Sequence, residues 1–162
     1  MSGAGKVLLA MALILLAALL QVTLAPRISW FGGAPDFVLV AVFAVALTNR
    51  PSHAAWAGFW GGLLIGALSG ASVAYYILTR GLVAFGLGYL TESDWGPWLL
   101  AGVVVAATLV AQIMLMFVAP PTGIPAYLQA TILSAVYNAV LAVPLILGLR
   151  RVYRPTKVWE RI

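Results

Sequence analysis

Thirteen of the chain's residues carry a formal charge, nine Lys or Arg and four Asp or Glu, and their positions decide which chemistry is open to it. Glu92 and Asp94 share a polar loop, Glu160 lies in a basic tail, and Asp36 stands alone before an apolar run. General acid–base work on paired carboxylates needs two such groups close together, and no predicted span holds a pair. There is no cysteine to serve as nucleophile or thiolate ligand, and the one histidine, His53, falls in a turn. No glycine-rich phosphate loop follows a strand, because no stretch reads as a strand. The expectation is a non-enzymatic protein with no catalytic residues, no cofactor-binding residues and no metal site.

Polar groups inside apolar stretches are the remaining candidates. Arg80 stands about seven residues into a hydrophobic helix, roughly 10 Å along it, where a charge is costly and faces a partner or the protein interior. Asp36 is the acid placed to meet it. Asp36 also has a local role open to it, since Pro35 suits a first helical position and a carboxylate in the first turn complements the helix dipole. Sequence alone does not bring the two together. Gln21, Gln112, Gln129 and Asn138 are amides in or beside spans, where interhelical hydrogen bonds are worth about 0.6 kcal/mol each. Pro144 removes a bond to the Val140 carbonyl and should kink its helix.

The elements that hold these groups follow from composition. The chain is 64% hydrophobic and 8% charged, whereas soluble domains are roughly 45–50% apolar and about 25% charged. Lipid must solvate most of it. Crossing the hydrocarbon takes about 20 residues, so the 162 residues have room for six spans in a single transmembrane domain, 1–162. Pro, Gly and charge divide the sequence into helices over 7–25, 35–48, 54–69, 73–90, 97–119 and 126–149, with an amphipathic interfacial segment at 26–34. The second and third are short and fit as tilted, re-entrant or sunken helices, and five spans is the rival count. The first resembles a signal peptide, yet its apolar run is longer than a usual signal core, and Pro26 follows the one small-x-small site. It reads as an uncleaved helix.

Orientation comes from the basic residues. A cytoplasmic N-terminus puts Lys6, Arg50 and the tail residues Arg150, Arg151, Arg154, Lys157 and Arg161 on one side, and Arg27 on the other. By the positive-inside rule both termini are cytoplasmic. The basic tail, 150–162, suits an anionic lipid surface rather than nucleic acid. Trp30, Trp56, Trp95, Trp98 and Tyr127 lie near predicted helix ends, as an aromatic belt does.

The strongest spacing is Ala54, Gly58, Gly62, Gly66 and Gly70, every fourth residue of the third helix. Residues four apart share a face, and small faces allow close helix packing in lipid. The strip serves either an internal contact, with Gly81, Ala84 and Gly88 of the fourth helix, or a groove for a partner helix.

The order of these landmarks resembles MreD, the rod shape-determining membrane family of the bacterial elongation machinery. The likeness starts at Leu19-Leu20-Gln21 and Pro26 and continues through Ala34-Pro35-Asp36-Phe37-Val38-Leu39. It is densest over Gly58-Phe59-Trp60-Gly61-Gly62-Leu63-Leu64-Ile65-Gly66-Ala67-Leu68-Ser69-Gly70, and returns in Gly88-Tyr89-Leu90, Tyr137-Asn138-Ala139 and Pro144. It covers residues 19 to 154. Two departures stand out: Gly66 replaces an Asp common in the family's block, and Ala74 replaces a Gly.

The resemblance implies a scaffold in the bacterial cytoplasmic (inner) membrane. Its partners would be an MreC-like single-span protein, a SEDS glycosyltransferase, a class B penicillin-binding protein and the actin-like MreB. It also implies the six-helix fold of the S components of energy-coupling-factor transporters, and thereby an alternative function as the substrate-binding subunit of a vitamin transporter. An S component needs a polar pocket under its outer loops, and this chain offers only Arg27, Ser29, Ser72 and Thr122 there.

Overall fold

A computed structural model describes residues 3–70, 72–91 and 95–153. Within them the chain is helical, in six α-helices: α1 (Gly3–Thr23), α2 (Phe37–Ala46), α3 (Pro51–Ser69), α4 (Val73–Gly88), α5 (Pro97–Val118) and α6 (Ile124–Tyr153). A short 3-10 turn, Ala25–Arg27, follows α1, and a single bridge pairs Trp30 with Gly33 across a tight turn.

The centre of the bundle is α2. Its ten residues, Phe37 to Ala46, are all buried, as expected of a helix apolar on every side. It packs against α1, α3, α4 and α6. Ten residues span about 15 Å, half of a hydrocarbon core of about 30 Å, so α2 is sunk among its longer neighbours. Outside it, Leu8, Leu16, Leu19, Trp98, Phe117, Ile132 and Val140 are exposed. Side chains of this kind spread over several helices are solvated by lipid and a liability in water. Among the described residues, α1, α5 and α6 are long and apolar enough to cross a bilayer, and α2 and α4 are shorter apolar helices. The architecture is that of an all-helical, multi-pass membrane protein.

The ends of three helices differ from expectation. Residue 35 is not helical: Asp36 is the N-cap of α2, with φ −99° and ψ 85°, so Pro35 lies outside the helix and not at its first position. A carboxylate that accepts a backbone N–H holds the cap there. Pro51 opens α3 in what reads as a turn, because a proline at the first helical position loses no bond. α6 begins at Ile124 and continues through Pro144 to Tyr153, four residues beyond the expected end.

The α3–α4 hairpin is the tightest pairing in the bundle. A Cβ added to Gly58 would lie 2.5 Å from the Arg80 carbonyl oxygen and 2.8 Å from the Gly81 Cα. At Gly62 it would meet the Tyr76 carbonyl at 2.5 Å, and at Gly66 the Val73 Cα at 2.7 Å. Gly88 of α4 answers in kind, its missing Cβ falling 2.5 Å from the Pro51 Cα and 3.0 Å from the Ala54 Cβ. Gly61 points elsewhere, onto Val42 of α2. Gly70 is not part of this face. It ends α3 in the left-handed conformation, φ +65°, with open space around it. It lies past Ser69, the last helical residue, so the four-residue spacing no longer holds it on the α4 side.

Candidate functional site

The candidate site grows from the N-terminus of α2, where a helix leaves its first N–H groups without intrahelical partners. The Asp36 carboxylate Oδ1 accepts the Leu39 N–H at 2.9 Å. Gln21 of α1 supplies a second acceptor, its Oε1 taking the Phe37 N–H at 2.7 Å, while its Nε2 donates to the Pro35 carbonyl at 3.3 Å. The Asp36 N–H donates to Asn138 Oδ1 of α6 at 2.9 Å. Asn138 Nδ2 in turn faces Thr108 Oγ1 of α5 at 3.4 Å. Side chains from α1 and α6, the latter braced from α5, thus fix the turn that the carboxylate caps.

Arg80 of α4 completes the group. Its Nη2 donates to Asp36 Oδ2 and its Nη1 to Oδ1 at 3.3 Å, a two-pronged ion pair. The guanidinium carbon lies 5.6 Å from the centre of the Tyr76 ring, within range of a cation–π contact. Both charges are withdrawn from the surface, with side chains 5% and 12% exposed. Taking ions out of water costs several kcal/mol each. The bidentate geometry, the cap bond and the aromatic face offset that cost. The pair is neutral as a unit and ties α4 to the central helix. With its oxygens committed to Arg80 and Leu39, Asp36 acts as a structural anchor.

Four of the polar residues singled out from the sequence therefore meet: Gln21, Asp36, Arg80 and Asn138. Pro144, grouped with them, does not. It is exposed on α6, which carries on past it as helix. Ala54, Gly58, Gly62 and Gly66 are buried, and all but Gly70 of the strip lie on the hairpin contact. Arg150 donates from Nη1 to the Trp95 carbonyl at 3.4 Å, near the start of α5, and Arg151 is exposed. Arg154, Lys157 and Arg161 lie outside the described residues. Arg27, Ser29, Ser72 and Thr122, the polar groups weighed for a carrier pocket, are all exposed.

Three contributors were not singled out from sequence. Thr108 is fully buried, and a hydroxyl within an apolar span is the kind of signal that marks it. Tyr76 stands four residues before Arg80, on the same helix face. Thr91, placed only within a loop, bonds through Oγ1 to the carbonyls of Ala46 at 3.1 Å and Asn49 at 2.5 Å. It joins the end of α4 to the end of α2. Farther along α5, Gln112 accepts the Tyr127 hydroxyl on its Oε1 at 2.9 Å.

A scan against protein-family models finds no match for this chain, and neither the curated proteins nor the solved structures yield one.

Proposed function

We propose that this chain is a non-enzymatic membrane scaffold of the MreD kind. It would cross the bacterial cytoplasmic membrane six times with both termini inside, hold an MreC-like single-span partner, and serve the cell-wall elongation machinery. One observation carries the reading. Gln21, the Pro35-Asp36 pair and Asn138, residues on which the resemblance rests, are joined by hydrogen bonds at the N-terminus of α2. Positions far apart in the chain thus share one structural task, the anchoring of the central helix.

The filled interior also supports a scaffold over a small-molecule carrier. Val38, Leu39, Val42, Phe43 and Val45 of α2 occupy the core and are at most 2% exposed. Six crossings gain support from the way the ends alternate. Thr91 meets Ala46 and Asn49, and Arg150 meets Trp95, at one end. Gln129 reaches the Phe31 carbonyl at 3.5 Å at the other. With seven Lys and Arg assigned to the first end against Arg27 at the second, that first end is the cytoplasmic one.

Depletion of the protein in a rod-shaped native host tests the function. Rounding and widening of the cells is the expected result. Unchanged shape with lost uptake of a vitamin would replace the scaffold by the carrier.

A further inference from the structure

Beside the ion pair lies a cavity of about 10 Å³ lined by Leu39, Tyr76, Thr79, Arg80, Ala111 and Gln112 among others. That is about the smallest space that holds one water molecule, and a buried water needs two to four polar partners to be stable. An arginine carries five N–H donors, and its two bonds to Asp36 use two of them. Gln112, across the cavity on α5, has a carbonyl oxygen able to accept more than one bond and already takes the Tyr127 hydroxyl. Thr79, by contrast, turns its hydroxyl to the Tyr75 carbonyl at 2.9 Å, which leaves its oxygen free to accept.

We propose that this cavity is a binding site for one ordered water, which accepts from the Arg80 guanidinium and donates toward Gln112. The water makes one continuous polar network out of two that are otherwise separate. Asp36 and Arg80 on α2 and α4 become linked through it to the Gln112–Tyr127 pair on α5 and α6. Among the described residues, direct side-chain bonds tie α5 to the ion pair through Thr108 and Asn138, at 3.4 Å, so the water supplies a second tie one turn farther along the same face of α5. It also hydrates the guanidinium, lowering the desolvation cost that a dry pair would carry.

Water-edited NMR of protein ¹⁵N-labelled at arginine, in nanodiscs of deuterated lipid, reads this directly. The Arg80 signals are assigned by their disappearance in Arg80→Lys. Polarisation should pass from water to an Arg80 side-chain N–H in the wild-type protein. It should be lost in Gln112→Leu, which removes the polar wall. Tyr127→Phe loses the same hydroxyl contact but leaves the Gln112 amide in place, and should keep the transfer. A wild-type protein without transfer to Arg80, or a Gln112→Leu variant with undiminished transfer, overturns the proposal. If Gln112→Leu does not fold, the wild-type spectrum alone decides.

Discussion

Arg80 and Asp36, forty-four residues apart in the chain, hold each other by two hydrogen bonds inside the bundle. Breaking such a buried pair by removing one partner typically costs about 3–5 kcal/mol, whereas replacing both with well-packed residues is often close to neutral. Arg80→Met should therefore lower the melting temperature in detergent steeply. Adding Asp36→Asn, which keeps an oxygen to cap α2, should restore most of the loss. Strictly additive losses in the double variant would mean that the two side chains do not depend on each other.

Asn138 accepts the Asp36 N–H from within α6. Asn138→Leu leaves that buried donor unmet, at a cost of about 1–3 kcal/mol. Thr108→Val, which removes only the longer contact to Asn138, should cost less. Thermal melts of the two variants side by side check the order, and an equal or reversed ranking would show that the Asp36 N–H is satisfied by something else.

The hairpin contact makes a contrast between glycines. At Gly62 a new side chain would run into the backbone of Tyr76 and Ile77, whereas at Gly86 nothing lies within 4 Å. Gly62→Leu should unfold or aggregate the protein, since overpacking a close contact costs about 1–3 kcal/mol or more. Gly86→Ala should be neutral or stabilising by up to about 1 kcal/mol, the helix-propensity difference. Size-exclusion profiles report both. A Gly62→Leu protein that elutes normally yet no longer retains a partner would instead assign the strip to an external helix.

Orientation is tested separately. Reporter fusions after Arg50 and after Ile162 should both read cytoplasmic, and an external signal from either would remove the six-span arrangement.

What could be read from residues alone divides along physical lines. The all-helical class, the long apolar helices α1, α5 and α6, and the small face of α3 follow from composition and from spacing, which act within one segment. The third helix, read as short, is longer at 19 residues than α4 at 16. Arg80 is marked as a charge too deep for lipid, and Asp36 as a helix-start carboxylate, each from its own neighbourhood. Their pairing depends on how α2 and α4 cross, which no local pattern encodes. Pro35-Asp36 suits either of two helix starts, with Pro35 as the first helical residue or Asp36 as the cap. A bond from Gln21 on another helix, together with the Asp36 cap, selects the second. Arg150 and Arg151 read as a tail, yet basic residues in a last turn also suit a helix C-terminus, and α6 runs through them to Tyr153.

The most direct test of the proposed scaffold is the set of proteins that leaves native membranes with it. Tagged protein captured in mild detergent after brief crosslinking should bring down a single-span membrane protein with a coiled-coil segment, in an amount that falls on Arg80→Met. Capture of a pair of transporter ATPases in its place, with no single-span partner, would contradict the scaffold and make the chain the binding subunit of a carrier.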